Sequence, residues 1–558
     1  MDNLNETLAN LIFPEITETI ADLEKRYPKR DLGDGAEVTR FAPSPTGFLH
    51  IGGLFGSLID MTVANQSKGK FMLRIEDTDQ KREVENGTRD LITQMRAFNI
   101  INDEGLISET EQIGEYGPYK QSEREYIYKI CAKELIRRGR AYPCFCLPED
   151  LNKLRESQER NKQIPGYYGT YARCRNYTVE EQIEKIKAGV PYVLRFRSEG
   201  SHLRKVKVHD VIRGKIEMAE NDQDIVIIKS DGLPTYHFAH AVDDHFMRTT
   251  IVIRGEEWIP STALHLDLFN ALGFEQVKYA HTPTMMKNDN GSKRKLSKRK
   301  DPESAVSFFL EEGYPVDSVL EYLLTIINSD YELWRKANKE ANWREFKVKL
   351  DKLNSSGALF DMVKLTDVSK EVIARMDTDT LLNNVLDWSK LYDNELYTLL
   401  TSDLEYARKV LGIERENVTK IRKDFAKYKD ILPNIFYMYD NLFDEGIKDG
   451  YVFNLQDGKF SIEDVKEIIK AYIEIYDSNM DKETWFNAVK AMTERLGYSA
   501  NMKEYKQNPD NFKGSIADVT GFIRVALTNK QNTPDIYAIQ QVLGETKIIE
   551  RLERIIKI

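Results

Sequence analysis

The spacing of hydrophobic positions divides the chain into a front half of mixed strand and helix patterns and a helical back half. Residues 1–35 carry apolar side chains at helical spacing and predict an amphipathic helix that ends in a turn rich in Pro, Gly and Asp. Residues 36–44 then predict a strand, residues 50–65 a helix and residues 70–75 a second strand. Strand, helix and strand in this order predict a βαβ unit and a parallel sheet.

Residues 141–202 interrupt this pattern and have the character of an insertion, with three cysteines, many tyrosines and a charged helical pattern over 149–162. Strand patterns return at 224–229 and 249–254. From about residue 303 to the end almost every segment is helical by periodicity, including 307–327 as one helix. We therefore expect an α/β Rossmann-type domain with an insertion, followed by all-α domains.

Composition narrows the class of protein. Hydrophobic residues make up 41% and charged residues 30%, and the net charge is −10, which excludes a uniformly basic nucleic-acid coat but not a local basic groove. Four cysteines in 558 residues exclude a disulfide scaffold and indicate reduced thiols. No apolar run approaches the roughly 18 residues of a membrane span, and the acidic N-terminus is unlike a targeting peptide. We expect a cytoplasmic protein.

The first motif that carries chemistry is Leu49-His50-Ile51-Gly52-Gly53, where the loop after the first strand enters a helix. A helix N-terminus at the edge of a parallel sheet binds phosphate, and glycine lets a planar ring or a phosphate approach the backbone. His50 can donate a hydrogen bond to a phosphate oxygen. The loop matches neither the dinucleotide fingerprint nor the P-loop, and taken alone it is equally well an ordinary turn with a capping histidine.

The second motif is a basic run over residues 293–300, in which six of eight positions are cationic. A loop of Asn, Asp and Gly at 288–291 precedes it and is expected to be mobile. Cations on such a loop can close over a triphosphate and stabilise the charge of a leaving pyrophosphate. Taken alone, the run is more simply a solvated charge cluster or a nucleic-acid patch.

Together the two motifs carry a resemblance. Residues 40–53 (RFAPSPTGFLHIGG) are similar to the H-I-G-H motif of class I aminoacyl-tRNA synthetases, and Lys295–Arg299 (KLSKR) to their K-M-S-K-S loop. With residues 74–79 and 252–258, the chain resembles the bacterial-type glutamyl-tRNA synthetases. This resemblance implies that the protein joins L-glutamate to tRNA(Glu) through glutamyl-adenylate, consuming ATP with Mg²⁺ and releasing pyrophosphate and AMP.

The resemblance also implies the site residues. His50 and Lys298 would be catalytic by positioning and by electrostatic stabilisation. The ATP site would comprise His50, Gly52, Gly53, Glu257, Trp258, Met285, Lys295 and Lys298. The glutamate site would comprise Arg40, Ser44, Glu76, Tyr236, His240 and Arg254. Within it, Arg40 and Arg254 would hold the carboxylates, Glu76 would face the amino group, and Ser44 and Tyr236 would add neutral hydrogen bonds.

His240 is a departure from the family, which usually has Asn at this position beside the amino acid. A neutral imidazole still donates or accepts one hydrogen bond, whereas a protonated one would favour an anionic substrate. Charge selection in this pocket is therefore expected to differ in detail.

Three cysteines of the inserted region, Cys144, Cys146 and Cys174, lie where some bacterial relatives bind zinc. A closed tetrahedral site needs a fourth ligand. The sequence offers Tyr168 and Tyr171 and no His immediately after Cys174; Tyr171 is the candidate assigned here, although phenolate is a poor zinc ligand at neutral pH. A structural zinc site and a metal-free knuckle of buried thiols remain equally open. Cys131 lies in a helical pattern and is assigned to packing.

The resemblance is strong over about 36–370, returns weakly at 522–528, and thins beyond about 385, so no anticodon-reading residue is transferred. A monomer is expected from the family. The expected domains are an N-terminal helical extension (1–35), the first half of the Rossmann catalytic domain (36–140), an acceptor-binding insertion (141–210), the second catalytic half with the KLSKR loop (211–302), a helical stem-contact domain (303–385) and a helical anticodon-binding domain (386–558).

The alternatives differ in how much of the chain they explain. Glutaminyl-tRNA synthetase shares the fold and loops, but A-P-S-P-T-G before the histidine and a helical rather than β-rich tail favour the glutamyl type. Whether tRNA(Gln) is charged as well stays open. A small nucleotidyltransferase such as pantothenate synthetase explains only the first loop, and the short paralogue that glutamylates a tRNA base lacks the helical tail. A non-catalytic RNA-binding protein leaves Arg40, Glu76 and Arg254 unexplained.

Overall fold

A computed structural model describes residues 2–45, 47–79, 84–297, 299–353, 357–415, 418 and 421–558. The chain forms two compact units: an α/β unit of Met1–Phe308 with Val319–Met362, and a helical unit of Phe309–Ser318 with Val363–Ile558. Within these described ranges, every helix is too short or too polar to traverse a lipid bilayer.

All strands of the described residues belong to the α/β unit. They are β1 Val38–Phe41, β2 Lys70–Leu73, β3 Glu104–Leu106, β4 Gln112–Ile113, β5 Ala141–Cys144, β6 Val193–Phe196, β7 Lys205–Asp210, β8 Gly214–Ala219, β9 Val226–Ile228, β10 Ile251–Gly255, β11 Lys278–Thr282, β12 Met285–Asp289, β13 Ser292–Lys295 and β14 Ala358–Phe360.

Helices occur along the whole chain and dominate its second half. They are α1 Asp2–Ile12, α2 Ile20–Arg26, α3 Ile51–Ser67, α4 Gly87–Ala97, α5 Glu125–Arg137, α6 Pro148–Arg160, α7 Val179–Lys187, α8 Tyr236–Phe246, α9 Thr262–Leu272, α10 Val306–Glu311, α11 Val316–Ile327, α12 Asp330–Ala337, α13 Met362–Arg375, α14 Thr378–Tyr392, α15 Asn394–Ser402, α16 Leu404–Leu411, α17 Ile431–Ile435, α18 Asp440–Gly446, α19 Ile462–Ile475, α20 Lys482–Arg495, α21 Met502–Gln507, α22 Ile516–Thr528, α23 Ile536–Leu543 and α24 Glu545–Lys557.

Parallel strands form the centre of the α/β unit. β1 pairs with β2 in parallel across α3, so the predicted βαβ unit is present. β10 pairs with β11 in the same way across α9, and the amide of Thr250 donates to the carbonyl of Val38 (3.0 Å), which joins the two sets of strands. The carboxyl ends of β1, β2 and β10 therefore meet at one edge, where open parallel sheets bind ligands.

The connection between α3 and β2 is short and depends on a glycine. α3 ends at Ser67, and Lys68, which caps the helix in the left-handed conformation (φ 59°), is followed by Gly69. A Cβ on Gly69 would overlap the carbonyl of Glu37, so only glycine allows the chain to enter β2 beside β1 at this distance.

The N-terminal residues form two helices, α1 and α2, where a single helix was predicted. Pro14 follows α1 and cannot continue the helical hydrogen bonding, and Thr19 starts α2 with a capping box closed by Asp22. The ammonium of Lys133 is buried and donates to the carbonyls of Phe13 (2.9 Å) and Ile16 (2.7 Å). The break between the helices is thus held by the body of the α/β unit.

Two further expectations differ from the structure. The pattern over 307–327 forms two helices, α10 and α11, because Gly313 lies between them in the left-handed region (φ 81°) and Pro315 follows. β14, in the region predicted to be all helical, pairs in parallel with β12. The remaining strand and helix predictions in the front half agree with the structure to within a few residues at each end.

The segment Phe309–Ser318 packs within the helical unit. The carbonyl of Leu310 accepts from the indole of Trp388 (2.7 Å), and the carbonyl of Gly313 accepts from the amide of Tyr428 (2.8 Å). A single hydrophobic core fills the rest of this unit and includes Leu381, Val489 and Leu552, none of which has an exposed surface.

Candidate active site

The first sequence motif contacts the chain that follows the basic run at the start of α3. His50 is the N-cap of this helix, and its Nδ1 accepts from the amide of Gly52 (3.0 Å), so the neutral ring carries its proton on Nε2. His50 pairs with Ala305 in an antiparallel bridge, and the amide of Val306 donates to the carbonyl of Leu49 (3.1 Å). The chain that follows the basic run therefore lies against the His50 loop.

Gly53 allows the helix to begin so close to β1. A Cβ at this position would lie 2.9 Å from Cδ1 of Leu49 and 3.3 Å from Cζ of Phe41. A larger residue here would require the side chains of Leu49 and Phe41 to shift.

The first three residues of the basic run, Lys293, Arg294 and Lys295, lie on β13, and the Asn, Asp and Gly segment expected to precede the run forms the turn of a β-hairpin. β12 and β13 pair antiparallel, and the hairpin turns at Asn290 and Gly291, both with positive φ. Lys295 is exposed opposite Met286. Lys298 lies outside the described residues.

Asp301 fixes the end of this hairpin, a role that sequence reasoning missed. Its buried carboxylate accepts from Arg294 (2.6 and 2.8 Å), from the amide of Ser297 (2.9 Å) and from Lys287 (3.3 Å). The hydrogen bonds from Arg294 hold the pKa of Asp301 well below its usual range. Arg294 is therefore neutralised within the hairpin, whereas Lys293, Lys295, Arg299 and Lys300 are exposed.

Arg40 on β1 and Glu76 after β2 are linked by two residues absent from the sequence prediction. Asp244 on α8 lies 3.2 Å from Nε of Arg40 and 2.7 Å from Nη1 of Arg74, whose Nη2 donates to Glu76 (3.1 Å). Burial favours the neutral carboxyl of Asp244, but Arg74 and Arg40 outweigh it and hold the pKa well below its usual range. Burial raises the pKa of Glu76, against the opposing effect of Arg74 and Arg40.

Arg254 at the end of β10 is buried and bonded on three sides. Nε donates to Nε2 of His281 (3.0 Å), Nη1 to Nδ1 of His265 (3.0 Å) and Nη2 to the hydroxyl of Thr262 (3.2 Å). The structure records no ion pair for this guanidinium across the described part of the chain.

Tyr236 and His240 on α8 line the same region. The ring of Tyr236 lies 4.3 Å from that of Trp258, centroid to centroid. His240 is fully buried, with Nε2 3.1 Å from the hydroxyl of Tyr279 and Nδ1 2.7 Å from Oδ2 of Asp244. Burial lowers the pKa of His240 to about 3, although Asp244 opposes the shift, so the ring is neutral at neutral pH.

The remaining predicted residues lie around this edge of the sheet. Ser44 is exposed in the loop after β1, and the carboxylate of Glu257 folds back over Gly255. Met285 is buried at the start of β12, where its carbonyl accepts from the amide of Leu296 (3.3 Å).

The three cysteines of the predicted metal site form a cluster with Sγ atoms all within 4.8 Å of one another. Sγ of Cys146 lies 3.6 Å from that of Cys174, close to the roughly 3.8 Å expected for two thiolates on one tetrahedral zinc ion. Hydrogen bonds within the cluster lower the pKa of Cys144 and raise that of Cys174. The donor set and its spacing therefore fit zinc.

The tyrosine beside these thiols is Tyr167, which corrects the choice of Tyr171 from sequence. The hydroxyl of Tyr167 lies 3.3 Å from Sγ of Cys146 and 3.6 Å from that of Cys144, and it accepts from the amide of Cys174. Tyr171 instead bonds Gln163, because the short 3-10 turn over Gly169–Tyr171 directs its ring towards Tyr168.

Comparisons with known proteins match both units. The family described as "tRNA synthetases class I (E and Q), catalytic domain" matches residues 37–367, and "Anticodon binding domain" matches 381–556. Together with the parallel sheet and the His50 motif at the start of α3, these matches define a class I tRNA synthetase of the E and Q group.

Relatives narrow the family further. The glutamate–tRNA ligase of Clostridium perfringens strain 13 is 51% identical over 547 residues, which cover 98% of this chain and 100% of the relative. That of Acetivibrio thermocellus is 44% identical over 550 residues, covering 98% and 99%. A crystal structure of a glutamate tRNA ligase from Elizabethkingia meningosepticum in complex with its amino acid has a TM-score of 0.74 and 27% identity, covering 94% of this chain and 99% of that one. The chain belongs to the glutamate–tRNA ligase family.

Proposed function

We propose that the protein ligates L-glutamate to tRNA(Glu) in two ATP-dependent steps. The observation that carries this proposal is the placement of two buried arginines, Arg40 and Arg254, and the carboxylate of Glu76 at the carboxyl ends of β1, β2 and β10, where Arg74 and Asp244 link Arg40 to Glu76. Glutamate has the complementary set, two carboxylates and one ammonium group. A guanidinium matches a carboxylate in charge and geometry.

In the first step a carboxylate oxygen of glutamate attacks the α-phosphorus of ATP, and the bond to pyrophosphate breaks. The substrate supplies the nucleophile, so the protein contributes position and charge. His50 would donate from Nε2 to a phosphate oxygen, and Lys295 and Lys298 would stabilise the charge on the leaving pyrophosphate. Gly52, Gly53, Glu257, Trp258 and Met285 would complete the ATP site.

In the second step a ribose hydroxyl of the terminal adenosine of tRNA attacks the carbonyl of glutamyl-adenylate, and AMP leaves. We assign residues 141–210 to an acceptor-binding insertion, residues 303–385 to a stem-contact domain and residues 386–558 to anticodon binding, in a monomer. Mg²⁺ would accompany ATP and neutralise its phosphates.

The proposal includes a structural zinc ion held by Cys144, Cys146 and Cys174, with Tyr167 offering the nearest oxygen. Metal analysis of protein purified without chelator should give about one zinc per chain, and Cys146→Ser should abolish it. Cys131→Ser is the matched control, because this buried thiol lies outside the cluster. Less than about half an equivalent in the parent would favour the metal-free knuckle.

The charging reaction tests the central proposal directly. Purified tRNA(Glu) and tRNA(Gln) are incubated separately with labelled glutamate or glutamine, ATP and Mg²⁺. Glutamate on tRNA(Glu) alone supports a discriminating enzyme, and glutamate on both tRNAs a non-discriminating one. Charging with glutamine alone would refute the glutamate site around Arg40, His240 and Arg254, and no charging would refute the function.

A further inference from the structure

Arg254 differs from the other buried arginines of the site because no carboxylate is recorded in contact with its guanidinium among the described residues. Arg40 and Arg74 each contact the carboxylate of Asp244. Arg254 is 8% exposed, and its three hydrogen-bond partners, His265, His281 and Thr262, carry no negative charge when the imidazoles are neutral. The ring of Tyr279, whose centroid lies 4.7 Å from Cζ of Arg254, is also uncharged. A buried guanidinium held only by neutral acceptors keeps its full attraction for an anion.

The hydrogen bonds also fix the proton on each ring. Because arginine can only donate, the nitrogens that face Arg254 must present lone pairs. On His281 the acceptor is Nε2, so the proton is on Nδ1, which lies 2.7 Å from Oδ2 of Asp210. Asp210 also accepts from the backbone amides of His281 and Arg213, so its position is set by the chain itself.

The ring of His265 carries its proton on the other nitrogen. On His265 the acceptor is Nδ1, so the proton is on Nε2, 2.9 Å from Nδ1 of His237. Burial holds the pKa of His265 well below its usual range and also lowers that of His281. Both rings therefore stay neutral at neutral pH, as a lone pair towards Arg254 requires.

We propose that His265 and His281 are positioning residues for substrate recognition: they aim Arg254 through neutral nitrogens, so that its charge is left for a carboxylate of the amino acid. This inference rests on the proposed function, in which Arg254 holds a substrate carboxylate. It adds that the two histidines act through different ring nitrogens, Nδ1 in His265 and Nε2 in His281.

Replacing each histidine with asparagine or glutamine tests which ring nitrogen is needed. The amide group of asparagine stands near Nδ1 of a histidine, and that of glutamine near Nε2. We expect His265→Asn and His281→Gln to keep an acceptor towards Arg254, and His265→Gln and His281→Asn to lose it. In aminoacylation of tRNA(Glu), the second pair should raise KM for glutamate about tenfold or more relative to the first pair, with KM for ATP unchanged.

A charge variant tests the other half of the proposal. His265→Asp has the shape of His265→Asn but places a carboxylate against Arg254. It should keep the arginine in place and neutralise it, so KM for glutamate should rise about tenfold or more above that of His265→Asn. Equal values for these two variants would refute the claim that Arg254 must remain unneutralised.

The outcomes separate this inference from the proposed function. If the parent protein does not charge tRNA(Glu) with glutamate, the proposed function fails before any variant is compared. If the parent is active and the same amide is preferred at both positions, or KM for ATP rises in parallel, the histidines serve packing and the inference is overturned. Thermal melting identifies variants that do not fold. The preference for Asn at position 265, or for Gln at position 281, is tested at each position where both amide variants fold. The comparison of His265→Asn with His265→Asp tests the proposal independently.

Discussion

Asp244 is the residue whose replacement should most damage both the fold and the site. Its carboxylate contacts Arg40, Arg74 and Nδ1 of His240 and accepts from Thr249 (3.3 Å), and its side chain and those of both arginines are 5% exposed or less. Asp244→Asn keeps the shape but removes the charge that both guanidinium groups share.

The magnitude follows from this burial. Removing one partner of a buried ion pair costs about 3–5 kcal/mol, because the remaining charge cannot be solvated. Asp150→Asn is a matched control in the same unit: Asp150 accepts from Arg173 at 2.6 Å, but the two side chains are 38% and 57% exposed. An exposed pair of this kind contributes about 0–1 kcal/mol. Denaturant unfolding followed by tryptophan fluorescence should therefore separate the two variants by at least about 2 kcal/mol.

The pH dependence of the free energy of unfolding is a second, independent test of the role of Asp244. Because the folded-state pKa of Asp244 is depressed, its contribution to stability is fully present above the unfolded value, about 3.9, and is lost as pH falls through the folded pKa. The difference between parent and Asp244→Asn should be constant from pH 5 to 8 and shrink only in acid, below about pH 4. A loss no larger than that of Asp150→Asn, or a difference that changes near neutral pH, would refute the role assigned to Asp244.

Three further predictions concern single side chains. Asp60 is buried in α3, and its Oδ1 has no hydrogen-bond partner in the described structure. Burial raises the pKa of Asp60 well above the usual range, so the stability of the protein should fall as pH rises from about 4 through the folded pKa. Asp60→Asn should remove this loss, and its stability gain over the parent, measured by denaturation at pH 5 and pH 8, should be larger at pH 8. Arg30→Ala should cost about 3 kcal/mol, because Arg30 forms a bidentate pair with Glu104 at 2.6 and 2.8 Å, whereas Lys29→Ala, at an exposed pair, should cost less than about 1 kcal/mol in the same unfolding assay. His240→Asn should keep kcat/KM for glutamate within about tenfold, since both side chains are neutral; a larger loss would show a separate role for the imidazole.

The parts of the fold that follow from local pattern were predictable. Alternating and helical periodicity of the apolar residues predicts the βαβ unit, and Arg40 and Arg254 lie on strands that this periodicity identifies. The break at Pro14 was also readable, since proline cannot continue the helix. The family resemblance then associated these strand ends with a glutamate site, which periodicity alone does not do.

The partners of the site residues were not predictable, because they come from distant parts of the chain. Arg40 and Asp244 are 204 residues apart in sequence, and nothing local to either marks the contact. His265 lies within an apolar helix and His281 within a buried strand, so each has the pattern of a core position. Tyr167 is one of several tyrosines near the thiols, and only the turn geometry distinguishes it from Tyr171.

The segment Phe309–Ser318, which packs in the helical unit although chain belonging to the α/β unit follows it, limits how modular this protein can be. The polypeptide passes between the two units three times, after Phe308, after Ser318 and after Met362. A gene fragment ending at Met362 would carry the complete α/β unit together with ten residues stripped of Trp388 and Tyr428. Neither unit can be exchanged by one crossover in the gene, because recombination that swaps a whole helical unit needs junctions at three places, after Phe308, Ser318 and Met362.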